Sequence, residues 1–399
     1  MKSQKSVELL KYSVGIDVGS KEFHVCISTI DKLQNIVIKG STKFNNSACG
    51  FANLLNWVCK RRKDTDVCLV YVMEATGVYY EELAHFLHTS EAYVSVVVPS
   101  KAKNYLKSCG NGSKNDKIDA AGLSRMGAER MLEIWKPYSE NTYELRSLTR
   151  HHESLQESKT RFMNQVHAIK HSHYQGDTIL KNLEALIALI NKQLKELEKS
   201  IEDKVKTDPI LKEKWLKISP INGIAMLSFA TIVAETNGFE LFDNYKQLVS
   251  YAGYDVIENQ SGNHQGKTKI SKKGNAHLRR ILHMPAIVAV KKEGTVFVNL
   301  YKRIFDKTKI KMKGYVAVQK KLLITIFFLW KKDVKYDENF IQNSLNKTFN
   351  NEGQEALPLA TNRVTKEINQ KIASNQIEAT QDKLPHNESA VALPLAVQS

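Results

Sequence analysis

The chain has 399 residues, 42% of them hydrophobic, and a formal net charge of +16. That is apolar material for two or three ordinary cores at roughly 100–200 residues per domain, which excludes a disordered tail or a fibrous repeat as the whole molecule. Eight acidic and five basic residues follow position 335, so the preceding residues carry +19, a surface suited to a polyanion such as DNA or RNA. A solvated lysine surface would give the same balance, so a site has to stand beside the charge. Five cysteines, Cys26, Cys49, Cys59, Cys68 and Cys109, are odd in number and form no CxxC pair, which argues against a disulfide framework and a structural zinc. No apolar signal core opens the chain, and apolar runs such as residues 322–330 fall short of the ~18 needed for a membrane span. The expectation is a protein of the reducing cytoplasm with no membrane partner.

In chain order, residues 12–39 alternate strand and turn through "YSVGIDV", "FHVCIST" and "NIVIKG", an antiparallel meander. A helix is predicted near 50–59, then the strand "VCLVYVM" ending at Glu74, a helix over about 79–88, the strand "YVSVVVP", and further helix. The order βββ-α-β-α-β-α predicts an α/β domain with a mixed sheet. Asp17 and Glu74 fall at the carboxyl ends of strands, where such sheets place functional groups.

From residue 145 apolar side chains recur at heptad spacing (Leu145, Leu148, Leu155, Phe162, Val166, Ile169), with His152 and Lys159 in the same register. After "YQGD" a cleaner series runs Leu180, Leu183, Ile187, Ile190, Leu194, Leu197 and Ile201. Two long helices either pack on each other or form a coiled coil with a second subunit, and the intersubunit role is favoured. The histidines His151, His152, His167, His171 and His173 read as the polar face of this arm, not as a metal site, since no third ligand is evident. Residues 207–335 are mainly helical in composition. They open with "LKISPINGIAMLSFATIVAE", which resembles a helix-hairpin-helix whose turn amides could hold a phosphate. Beyond 336 the chain is rich in Asn, Gln, Glu and Ser, and disorder is expected. The expected divisions are 1–138, 139–206, 207–335 and 336–399.

The stretch "GIDVGSKEFHVCIS" (15–28) suits either the phosphate loop of an actin-like ATPase or a metal ligand of a nuclease. The ATPase would need a second Asp-x-Gly loop, and none follows. Asp116 and Asp119, in "KNDKIDAAGLSRM", lie three apart on a predicted helix and project from one face. With Asp17 and Glu74 they make four carboxylates, hard oxygen donors for one or two divalent cations that could clamp a phosphodiester. A solvated DxxD pair is the commoner fate of such residues.

Asp in the first strand ("GIDVGS"), Glu ending the fourth ("MEATGVYY") and "NDKIDA" on a later helix resemble the DEDD transposases of the insertion sequence 110 family. Asn115 departs from the threonine common before the first Asp of the pair. The resemblance spans roughly residues 12–335. It implies a RuvC-like, ribonuclease-H-like N-terminal domain, with Asp17, Glu74, Asp116 and Asp119 holding Mg²⁺, two ions per site, or Mn²⁺. "LVSYAGYDVIENQSGNHQGKTKISKKGNAHLRRIL" (248–282) resembles the family's C-terminal transposase domain and matches Ser261 to its catalytic serine. Lys267, Lys269, Lys272, Lys273, Arg279 and Arg280 would then neutralise phosphates, although a solvated lysine loop has the same composition. The resemblance implies double-stranded DNA partners at element ends and target, a structured guide RNA, and a homodimer or homotetramer. Two other readings differ in what they need: a RuvC-type endonuclease using water in place of Ser261, and a non-catalytic nucleic-acid-binding protein.

Overall fold

The computed structural model describes residues 8–110, 115–173, 176–258, 260–261, 264–266 and 268–338. The chain divides into two units, 1–333 and 334–399. Of the second, residues 334–338 are described and form no helix or strand; the rest of the expected tail lies outside the described residues. Among the described residues no helix is long and apolar enough to cross a membrane.

Leu9–Val18 (β1), Glu22–Asp31 (β2) and Ile36–Asn45 (β3) form the expected meander; Ala48–Arg61 (α1), Leu69–Glu74 (β4), Glu81–Thr89 (α2), Tyr93–Val97 (β5), Pro99–Ser108 (α3) and Asp116–Glu129 (α4) follow. The sheet order is β3-β2-β1-β4-β5. β1 is antiparallel to β2 and parallel to β4, and β4 is parallel to β5. This is the order and sense of a ribonuclease-H-like sheet. Side chains alternate across it, so the two faces differ in kind. Val14, Ile16 and Val18 with Phe23, Val25 and Ile27 pack under α1 and α2 in one continuous apolar core. The opposite face carries Ser13, Gly15 and Asp17 on β1, His24, Cys26 and Ser28 on β2, and Val70, Val72 and Glu74 on β4, and it packs against α4.

Glu140–Lys170 (α5) and Asp177–Thr207 (α6), 31 residues each, run antiparallel and pack on each other within the chain. Cross-ties Lys170–Glu184, His152–Glu198 and Lys204–Glu144 fix the register. His152 is therefore a seam residue with its own partner, which accounts for a polar side chain in the heptad pattern. Pro209–Ile218 (α7) and Met226–Thr236 (α8) follow, joined by residues 219–225, where Gly223 takes φ +95° with the Pro285 carbonyl only 2.6 Å from the Cβ position it lacks. Tyr245–Tyr251 (α9) leads into two small ladders, Val256–Ile257 (β6) with Lys269–Ile270 (β9), and Gln260–Ser261 (β7) with His264–Gln265 (β8). The expected helical composition does not extend through this segment. Asp255, Asn263 and three glycines between 253 and 266 favour turns over helix. Ala276–Ile281 (α10), His283–Ala289 (α11), Val296–Thr308 (α12) and Lys311–Lys332 (α13) complete the unit. Half-buried Trp215 and Trp330 pack on its core, 5.3 Å from Phe229 and 5.6 Å from Phe239 between ring centroids.

What positions the carboxylates is the contact between α4 and β1. A Cβ on Gly15 would stand 2.1 Å from both the Ala120 carbonyl and the Ser124 amide, so helix and strand meet backbone to backbone there. Gly127 likewise leaves room for Ser13 Oγ and Val72. Ser124 Oγ donates to the Ser13 carbonyl at 2.9 Å, which commits its proton and leaves Ser28 Oγ to donate to Ser124 Oγ at 2.6 Å. Gly15→Val must push the helix off the strand and is expected to cost about 1–3 kcal/mol or more. Gly176→Ala, with its nearest neighbour at 3.5 Å but at the N-cap of α6, where Ala is less favoured than Gly, is expected to cost no more than about 1 kcal/mol. Urea unfolding of the two variants checks both.

Candidate active site

Ile16 pairs with Met73 across the parallel β1–β4 ladder, so Asp17 and Glu74, each one residue further, end neighbouring strands on the same face. α4 opens directly over them. Asn115 caps it, its side chain accepting from the Ile118 amide at 2.8 Å, and Asp116 and Asp119 occupy its first turn. Asn and Thr are both good N-caps, so the departure from the family's usual threonine keeps the capping function. The positive end of the helix dipole also favours acidic side chains in that turn.

Burial first, then the charges of Asp116, Asp119 and Glu74, raise the Asp17 carboxyl from 3.8 to about 6, with His24 opposing. All four carboxylates thus share one electrostatic neighbourhood. His24 faces Asp17 across β1–β2 and reaches to 3.6 Å from Asp116. Sequence reasoning missed this residue; its signal was the alternation of "FHVCIS", which puts position 24 on the face of Asp17. Asp17 and Glu74 are half-buried and Asp116 is exposed; Thr76 Oγ1 donates to Glu74 at 3.2 Å. Among the described residues no group of three or more His, Cys, Asp or Glu side chains is gathered tightly enough to hold a metal ion. The four carboxylates thus line an open mouth. Their chemistry, all oxygen with one imidazole at the rim, fits a hard divalent cation.

Ser261 lies on β7, paired with His264, and among the described residues β7 makes no substantial contact with β1, β4 or α4. Of the basic residues expected nearby, Lys269, Lys272 and Lys273 are exposed, and Lys267 lies outside the described residues. Arg279 is taken up by backbone carbonyls of Ala252, Gly274 and Asn275, at 2.9, 3.3 and 3.1 Å. Arg280 pairs with Glu153, at 2.9 Å, and with Glu157. Both arginines are engaged within the protein.

The "SKKGN" element is clamped from below by Glu235, whose side chain is fully buried. Glu235 accepts from Arg150 Nε and Nη2 at 2.7 and 3.0 Å and from Asn275 Nδ2 at 2.6 Å, while Tyr251 donates to its backbone carbonyl at 3.1 Å. Burial alone would raise this carboxyl, but Arg150 and Asn275 hold it below its ordinary value. Asn275 in turn caps α10.

Residues 14–175 match the DEDD transposase family model of IS110, described as "Transposase", and residues 217–302 match the "Transposase IS116/IS110/IS902 family". The chain belongs to the IS110 family of transposases. It is accordingly an enzyme of DNA cleavage and strand transfer. The chain is 28% identical over 331 residues to the pilin gene-inverting proteins of Moraxella lacunata and Moraxella bovis, covering 82% of this transposase and 98% of each relative. Among solved structures, Thermus thermophilus RuvC is 9% identical with a TM-score of 0.24, the match covering 31% of this transposase and 99% of that chain.

Because the folded Asp17 carboxyl lies above its ordinary 3.8, folded transposase binds this proton more readily than the unfolded chain. Stability in chelator therefore falls as pH rises from about 4 to about 6. Asp17→Asn removes both the titrating group and its repulsion. At pH 7 in chelator the variant is expected to be more stable than wild type by on the order of 1–2 kcal/mol, a figure discounted for partial exposure. The gain is expected to disappear near pH 4, and urea unfolding at the two pH values measures it.

Proposed function

We propose that this transposase breaks and rejoins DNA strands at the mouth formed by Asp17, Glu74, Asp116 and Asp119, with Ser261 as nucleophile. The observation that carries the proposal is the convergence of these four carboxylates, from two neighbouring strand ends and one helix turn, on one end of one sheet face. They would hold Mg²⁺ or Mn²⁺, one or two ions per site. When bound, such ions supply Lewis acidity and charge neutralisation at phosphate oxygens.

The chain's own part is nucleophile and positioning. Ser261 Oγ, its proton passed to solvent, attacks phosphorus; the bond from phosphorus to one deoxyribose oxygen breaks, and that oxygen leaves as a hydroxyl with a proton from solvent. The phosphoserine ester conserves the bond until the hydroxyl of a new strand end attacks it, releases Ser261 and completes the transfer. Among the described residues β7 shares no substantial contact with the carboxylate-bearing elements, which supports a serine supplied across subunits of a dimer or tetramer, giving composite sites. The partners are double-stranded DNA at the element ends and target, and a structured guide RNA that carries the sequence choice while the protein holds backbones. The separation of β7 from the mouth also favours a second reading, hydrolysis by water with no serine.

The two readings part on a labelled DNA carrying the element ends, incubated with Mg²⁺ and run on a denaturing gel. A DNA–protein adduct is expected with wild type and none with Ser261→Ala; cleavage without any adduct in either protein supports water. Asp17→Asn and Glu74→Gln are each expected to lower cleavage on the order of 10³-fold, the worth of several kcal/mol of transition-state charge stabilisation. Unchanged rates would remove the carboxylates from the reaction.

A further inference from the structure

Two of the arginines expected to meet phosphates are engaged by groups of the protein, while Lys269, Lys272 and Lys273 stay exposed, so other exposed charge that could hold DNA is of interest. A second stretch of exposed basic charge lies past the end of the second family match at residue 302, on the hairpin of α12 and α13. Residues 302–321 contain eight Lys or Arg and one acid, Asp306. Among the described residues the sole ion pair in this stretch is Lys309 with Asp306, at 3.6 Å between exposed side chains. Lys307, Lys309, Lys311 and Lys313 follow one another at alternate positions around the turn, and all are exposed.

This tip is built, and not merely solvated. Tyr301 stacks on Phe305 with rings 5.9 Å apart and 3° from parallel, and lies 4.9 Å from Tyr315 across the hairpin. Gly314 makes the crossing possible, since a Cβ there would be 2.6 Å from the Tyr301 ring. Thr308 Oγ1 accepts from the Ile310 amide at 3.4 Å, and Lys309 holds φ +53°. The backbone that carries the lysines is thereby held, with Ile310 and Met312 exposed between them at 47% and 54%. An unneutralised cluster of this density is stabilised by a polyanion, and apolar tips of this kind suit a groove floor.

We infer that the α12–α13 hairpin is a docking surface for duplex DNA, its lysines on the phosphates of the backbone and Ile310 and Met312 toward the groove. The inference rests on this enzyme acting on DNA and not on the serine or the metal, so it is tested in chelator, where no strand is cut. Full-length protein is titrated onto a labelled random duplex of about 30 base pairs at several salt concentrations. Lys307, Lys309, Lys311 and Lys313 are replaced together by Gln. Every phosphate that the variant leaves unneutralised lowers the salt slope by about 0.9, so a fall of about 3–4 in slope and on the order of 10²-fold in affinity near 0.1 M salt is expected. A variant with the same charge removed from α6, at Lys181, Lys192, Lys195 and Lys199, is expected to bind nearly as wild type, and Lys→Arg at the four hairpin positions to retain affinity. All changed residues lie at the surface, and matching circular dichroism and thermal midpoints establish folding. Equal weakening in the α6 and hairpin variants, or unchanged binding in the hairpin variant, would overturn the inference. So would weakening confined to a structured RNA probe, which would make the surface one for RNA.

Discussion

At Gly15 a helix rests on a strand with no side chain between them, and the carboxylate mouth depends on that contact. The face of β1 and β2 beneath α4 is lined by Ser13, Gly15, Cys26 and Ser28, which bury little apolar area. The sheet recovers that loss on its other face, where aliphatic and aromatic side chains pack continuously under α1 and α2. The reward for small residues is position. With Ala120 and Ser124 held against the strand, the first turn of α4, which immediately precedes Ala120, has little freedom to leave the ends of β1 and β4. The Ser124–Ser28 and Ser124–Ser13 hydrogen bonds add a directional lock in a place where greasy packing would tolerate sliding.

The second half is organised by a buried charge where the first is organised by a missing side chain. Glu235 in α8 gathers Arg150 of α5 and Asn275 of the "SKKGN" element, with three directed bonds on its carboxylate. A buried ion pair contributes little net stability, but breaking it is costly because the remaining charge is stranded. Such a pair specifies one arrangement more than it strengthens it. α5 serves both halves: Tyr143 donates to Glu81 of α2 at 3.0 Å, Arg150 reaches Glu235, and Glu153 receives His277 and Arg280. One long helix thus ties the sheet to the base from which β6 and β9 carry the serine segment.

Much of this was legible in the sequence because alternation and spacing are local. The five strands and the two long helices follow from a period that a short window contains. His24 was legible in principle, since the alternation that puts Asp17 on a face puts His24 opposite, but only once the β1–β2 register is known. The fates of Arg279 and Arg280 were not legible. Their basic neighbours read as phosphate ligands, yet the carbonyls and carboxylates that claim them come from residues up to 127 positions away in the chain. Gly15 lay in plain view within the quoted motif, but its meaning required the helix that covers it.

On the proposed reading, charge is distributed in this molecule so that attraction and chemistry occupy different places. Four carboxylates at one mouth repel an approaching phosphate; at 5 Å and an effective dielectric near 20, each pair of unit charges costs about 3 kcal/mol. No enzyme acting on DNA can present that mouth alone. Two divalent cations would neutralise the four carboxylates, which turns the mouth from a repulsive surface into a phosphate site. The attraction that brings the duplex near must still be sequence-independent, long-ranged and remote enough not to fill the mouth with lysine. A lysine ammonium among the carboxylates would compete with the cations for the same oxygens, and the described ring around Asp17 contains His24 but no lysine or arginine paired to it. The basic residues are accordingly either bound into the frame, as Arg150, Arg279 and Arg280 are, or displayed at the surface in numbers that local acids do not balance, as on the α12–α13 hairpin.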